Sequence, residues 1–214
     1  MKEAKMIIAY LGHSCFKLEE NGASLVTDPY APGSVPGLSP VRTSAGQVIC
    51  SHGHADHNAA NEVKIIGTAN KFDVELISSF HDPEGGRLRG LNDIAVIKTD
   101  GKKYVHMGDI GCDPGEEAIG KIRNCDVLFI PVGGFYTIDH KEALDLIRKI
   151  NPKITIPMHF RGKTFGYDVI SELEDFIKDA SAAGGYKIIN DGESVIDTTV
   201  IASGAIVILK PLRS

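Results

Sequence analysis

Short apolar runs with period-two alternation fill the first half of the chain and predict strands at residues 6–11, 15–18 and 24–27. Glu20-Asn21-Gly22 marks a turn between the last two. A Pro- and Gly-bearing segment, 29–46, reads as a long loop. Further strands are expected at 47–50, 64–67, 74–80, 94–99 and 103–107, with Asp100-Gly101 as a hairpin turn between the last pair.

The second half changes period. Asp113-Pro114 followed by Glu116 and Glu117 has the chemistry of a helix start: a capping carboxylate, proline at the first position and acids in the first turn. Asp139 precedes a second helix, with Ala143, Leu144, Ile147 and Ile150 at spacings of three and four. Asp168 opens a third, with Val169, Ile170, Leu173, Phe176 and Ile177 on one face. Strands at 127–132 and 153–157 lie between the helices, and strands at 186–189 and 205–209 follow. No linker, low-complexity tract or short repeat interrupts the pattern. Two β-rich halves with helices outside predict one α/β domain over residues 1–214, a four-layer α/β/β/α sandwich.

Composition narrows the function classes. An apolar share of 43% in 214 residues suits a globular core, and no stretch approaches the roughly 20 apolar residues of a membrane span. No signal-type apolar core follows Met1-Lys2-Glu3-Ala4-Lys5, so the expected location is cytoplasmic. The formal net charge of −5 gives no bulk attraction to nucleic acid or anionic membrane, although a small anionic substrate is compatible with it. Cys15, Cys50, Cys112 and Cys125 form no CxxC pair and are expected as buried thiols, with Cys112 the one that could approach a site around Asp109. GxSxG and HExxH are absent, which disfavours a serine-triad hydrolase and the common zinc-protease pattern.

The chemistry is concentrated in Ser51-His52-Gly53-His54-Ala55-Asp56-His57. Three imidazoles and a carboxylate packed this tightly suit a divalent metal. Strand alternation before the run lets His52 and His54 project to one side, while Asp56 and His57 fall beyond it, so the spacing suits two metals. Asp28, His81, Asp109 and His159 each follow an apolar run, where a rigid strand gives out into a loop.

This ordered set resembles the metallo-β-lactamase fold superfamily: Asp28 in TDP, the HxHxDH run from His52 to His57, His81, Asp109 in GD, and His159. The phrases YLGHSCFKLE, RGLNDIAVIKTDGKKYVHMGDIG, IPVGGFYTID and IPMHF resemble its zinc-dependent hydrolase branch, related to ascorbate-6-phosphate lactonase and N-acyl-phosphatidylethanolamine phospholipase. The resemblance implies one metal on His52, His54 and His81, a second on Asp56, His57 and His159, and Asp109 bridging. It places Asp28 behind a ligand histidine as its hydrogen-bond acceptor. Asp82, next to His81, is a candidate that competes with it for the ligand role.

Other residues carry two readings each. His13 either contacts substrate or is a hydrogen-bonded structural histidine; His106 is expected in the core or behind the ligands. Tyr136 can line the pocket, and His140 is expected to be exposed at a helix start. Arg89 and Arg161 either pair with an anionic substrate or sit at the surface. Asn92 is either a loop residue or a polar pocket group.

The expected activity is hydrolysis of an ester, lactone or phosphodiester bond with two divalent ions, zinc first and manganese or iron as alternatives. Asp56 and Asp109 are the expected catalytic carboxylates. A nuclease of this fold, a di-iron oxidoreductase and a non-catalytic metal-binding protein are the competing classes. The di-iron members carry Glu where this chain has His54, and the short Asp109-to-His159 stretch leaves no room for the insertion of large RNA-processing members.

Overall fold

A computed structural model describes residues 5–99 and 101–212. Strands β1 (Ile7–Gly12), β2 (Cys15–Glu20) and β3 (Ala23–Thr27) form an antiparallel meander. β4 (Thr43–Ala45), β5 (Gln47–Ile49) and β6 (Val63–Ile65) follow, then β7 (Asp73–Phe80), β8 (Leu91–Thr99) and β9 (Lys102–His106). The chain next alternates: α1 (Gly115–Ile122), β10 (Val127–Pro131), α2 (His140–Ile150), β11 (Ile154–Met158) and α3 (Leu173–Ala183). β12 (Lys187–Ile189), β13 (Val195–Asp197) and β14 (Ala205–Val207) complete the two sheets.

The first sheet runs β13-β1-β2-β3-β5 and the second β12-β14-β11-β10-β9-β8-β7. Central strands β10 and β11 are buried at every position, as expected for parallel strands covered on both faces. The sheets meet through aromatic side chains: Phe16 of β2 lies 4.5 Å, centroid to centroid, from Phe129 of β10. The three helices contribute Ile119, Ile122, Leu144, Ile147 and Phe176 to the same core. The α/β/β/α sandwich is therefore present. Its outer layer over the first sheet is thin, made by Tyr30, Val35, Leu38 and Val41 packing on Leu11 and Val26, with Ala45 and Val63 beside them. The 29–46 loop is thus an ordered cover, and it contains β4, which pairs in parallel with β6. No helix among the described residues is long and apolar enough to cross a membrane.

Several expectations shift. The third helix begins at Leu173, not Asp168; residues 168–172 turn instead, burying Ile170 and leaving Val169 exposed. Pro114 caps the first helix, one residue later than expected, and Asp113 accepts from the Gly115 amide at 2.9 Å. The Asp139 start is a full capping box with Glu142. Strands β4 and β13 lacked a readable alternation, being three residues each. The expected Asp100-Gly101 turn has Asp100 outside the described residues, while Thr99 pairs with Lys102 around it. Cys15 and Cys125 are buried, but Cys50 and Cys112 are only half-buried. His140 is half-buried too, held 3.3 Å from Asp179 on α3, because α2 and α3 pack side by side.

Strand direction places the chemistry. β7, β9, β10 and β11 all run the same way in the second sheet, and β3 runs parallel to β5 in the first. Their C-terminal ends release Asp28, Ser51, His81, Asp109, Gly133 and His159.

Candidate metal centre

Two donor groups form at this edge. His52, His54 and His81 have donor atoms within 4.8 Å of one another, and so do His13, Asp56, His57 and His159. Ring centroids separate by 4.7 Å for His52–His54, 4.6 Å for His52–His81 and 5.1 Å for His54–His81. In the second group His13 lies 4.2 Å from His159 and 5.1 Å from His57. Asp109 stands between the groups: its Oδ2 is 3.1 Å from Nε2 of both His57 and His159, and 3.6 Å from that of His81.

His13, which the resemblance does not give as a ligand, lies among the donor atoms of the second group. His13 is 1% exposed and its Nε2 lies 3.3 Å from Asp56 Oδ2. Asp56 is thus the polar neighbour of its Nε2, while Nδ1 has no hydrogen-bond partner.

Second-layer hydrogen bonds orient the donors. Asp28 is buried and accepts from His57 Nδ1 at 2.9 Å, from the Ser51 amide at 2.7 Å and from Ser51 Oγ at 2.6 Å. Ser51 Oγ, its proton given to Asp28, accepts from His52 Nδ1 at 2.9 Å. Both histidines therefore carry hydrogen on Nδ1 and turn Nε2 toward the cluster, where that of His52 has no partner and that of His57 meets Asp109. His106 donates from Nε2 to the Ser14 carbonyl at 2.9 Å and accepts from the Gly108 amide at 3.2 Å, so it is a satisfied histidine behind the site. Asn92 donates to the Met107 carbonyl at 2.9 Å and accepts the Asp109 amide at 2.7 Å, which fixes the Asp109 backbone. Asp82 is consumed by four backbone amides and is not a competing ligand.

Backbone strain gathers here. Asp28, His13 and His159 have φ of 40°, 55° and 52°, a region costly for residues with side chains. The His159 amide donates to the His13 carbonyl at 3.1 Å, so two of these strained turns brace each other.

Burial sets the charge states. It lowers His13 to about 4, helped by His159, and His52 to about 3, helped by His57. His57 behaves oppositely: burial opposes its charge, but Asp109 and Asp28 raise it well above the usual range. Burial likewise opposes ionisation of Asp109, yet His159 and His57 hold it well below the usual carboxylate range. The carboxylates demand positive charge between them; a proton on His57 supplies it in the protein alone, and a cation would displace that proton. The unpartnered Nε2 of His52 and Oδ1 of Asp109, with the Nε2 atoms of His57 and His159 that meet Asp109, fit a divalent ion in donor chemistry.

Outside the donors, a cavity of about 250 Å³ is lined by His54, Asp56, His81, Arg89, Asp109, Tyr136, His159 and Tyr167. Tyr136 lines it as expected. Arg161 does not: it turns onto Glu172 at 3.1 Å. Cys112 does not line it either. Tyr167, which spacing gave no reason to select, lies 3.1 Å from Asp56 Oδ2 and 2.8 Å from the Ser34 carbonyl, sharing its hydroxyl proton between them. Ser51, directly before the histidine run, joins the site through Asp28 and His52.

Residues 7–159 match the model of the beta-lactamase superfamily domain. A UPF0173 metal-dependent hydrolase of Carboxydothermus hydrogenoformans is 26% identical over 227 residues, spanning 89% of this chain and 100% of that protein. A UPF0173 metal-dependent hydrolase of Archaeoglobus fulgidus is 27% identical, spanning 84% and 92%. Among solved structures, a Thermotoga maritima protein described as a Zn-dependent hydrolase of the metallo-β-lactamase superfamily superposes with a TM-score of 0.73 and 28% identity, covering 95% of this chain and 98% of that one.

Proposed function

This chain belongs to the beta-lactamase superfamily, and we propose that it is a metal-dependent hydrolase that cleaves an ester, lactone or phosphodiester bond at a two-metal centre. The observation that carries this reading is Asp109 standing within 3.6 Å of histidines from both donor groups. His52, His54 and His81 would hold one ion; Asp56, His57 and His159 the other, with Asp109 shared. Zinc is the first choice for this imidazole-rich set, manganese or iron the alternatives. Bound divalent ions supply Lewis acidity, bringing a water's pKa toward about 7 and polarising the oxygen of the scissile bond.

The chain's own groups do the rest. Asp56 Oδ2, facing the cavity between His13 and Tyr167, orients a water proton and accepts it. The Tyr167 hydroxyl, whose ionisation is opposed by burial and by Asp56, stays protonated and spends its proton on Asp56 Oδ2 and the Ser34 carbonyl, which holds Asp56 at the cavity wall. Asp28 and Ser51 keep His57 and His52 in one tautomer throughout. The small cavity and the net charge of −5 support a small-molecule substrate over nucleic acid. The test is a panel of chromogenic esters, lactones and phosphodiesters, run on zinc-loaded and chelator-stripped protein. Hydrolysis of at least one class is expected only with metal; equal rates in both preparations would refute the reading.

A further inference from the structure

Asp82 is fully buried and accepts backbone hydrogen bonds from Glu84 (2.8 Å), Gly86 (3.1 Å), Leu88 (3.0 Å) and Arg89 (2.7 Å). One carboxylate thus closes the loop after His81, and its last partner is the amide of Arg89 itself. The His81 amide donates to the Gly90 carbonyl at 3.1 Å, sealing the loop's base. Gly111 packs beneath it so closely that a Cβ there would sit 2.4 Å from the Asp82 nitrogen. The loop is therefore fixed against the histidine cluster, and it delivers Arg89 into the cavity wall.

The Arg89 guanidinium lies 5.7 Å from the centre of the Tyr136 ring. Two other arginines are neutralised: Arg87, two positions before it, pairs with Glu84, and Arg161 with Glu172. Arg89 has no carboxylate partner among the described residues. A half-buried arginine over the face of an aromatic ring, with no carboxylate partner, has donors available, and its fork matches a carboxylate or phosphate.

We propose that Arg89, backed by Tyr136, forms an anion subsite, and that the substrate carries an acidic group beside the bond that is cleaved. This rests on the hydrolytic reading of the same cavity. The donor cluster takes the scissile group and Arg89 takes the second, negative group. Tyr167 lies 5.8 Å from Tyr136 on the same wall, and the cavity's size of about 250 Å³ suits a small molecule.

Calorimetric binding of acetate, glutarate and 3-phosphonopropionate tests the subsite, on zinc-loaded and metal-free protein, for the wild type, Arg89→Ala, Arg89→Lys and Arg87→Ala. Acetate reports the metal donors alone. At least one dianion is expected to bind the zinc-loaded wild type about tenfold more tightly than acetate. A larger gain for glutarate assigns a carboxylate, and a larger gain for the phosphonate assigns a phosphate. Arg89→Ala should erase the gain, Arg89→Lys should keep part of it, and Arg87→Ala should leave it whole. Equal affinities in the wild type, or a preference that survives Arg89→Ala, would overturn the subsite. Failure of the wild type to take up zinc refutes the hydrolytic reading instead, and dianion preference on the metal-free protein then decides the subsite.

Discussion

Asp28 accepts a hydrogen bond from Nδ1 of His57 at 2.9 Å, with both side chains out of solvent. That bond fixes the tautomer and turns Nε2 toward Asp109. Asp28→Asn replaces a charged acceptor by an amide that also brings unwanted donors. Metal affinity, measured by competition with a chromogenic chelator, should fall about 10- to 100-fold while the far-ultraviolet spectrum is unchanged. Wild-type affinity in the variant would contradict this role.

Gly108 sits between Ser51 and Asn92 with φ of +57°. A Cβ there would meet Asn92 Oδ1 at 2.3 Å and Ser51 Cβ at 2.6 Å. Gly108→Ala should cost about 2–3 kcal/mol in urea unfolding, from strain and forced displacement together. A loss under about 0.5 kcal/mol, within the range of an ordinary surface change, would show that this close approach is not required.

His13 has donor atoms grouped with those of Asp56, His57 and His159. His13→Ala should weaken one of two cobalt ions about tenfold or more and alter its visible absorption, leaving the other ion in place. Unchanged spectra and affinities would return His13 to a packing role.

The metal-free protein should lose stability as pH falls below about 6.5. Burial lowers His13 to about 4 and also lowers His106, so the unfolded chain binds protons that the folded one refuses. Each contributes a slope of about 1.4 kcal/mol per pH unit in that window. His57, raised in the fold, acts in the other direction: its contribution is complete below its unfolded value and is lost as pH rises through the folded one. Unfolding free energies measured across pH should therefore peak near neutrality. A flat profile on the acid side would contradict the burial of neutral histidines.

The donor set was legible because its members lie in one short run or directly after apolar strands, where local pattern carries the information. The supporting layer was not. Ser51 matters through Asp28, 23 positions away, and Tyr167 through Asp56, 111 positions away. Such pairings are made by strand order and loop packing, which leave no periodic trace. The third helix shows the same limit. Asp168 and the apolar residues after it fit helical spacing, but the chain between Arg161 and Glu172 is held by a bridge and an ion pair that delay the helix to Leu173. Asp139 was readable because its capping box is a contact within four residues.

The most direct measurement is the zinc content per chain of metal-loaded wild-type protein beside Asp109→Ala, by elemental analysis after gel filtration. Two ions on the wild type, with at least one lost in the variant together with hydrolysis, is the expected result. A single ion on the wild type, or a variant that keeps both ions and full turnover, would contradict a two-metal centre joined at Asp109.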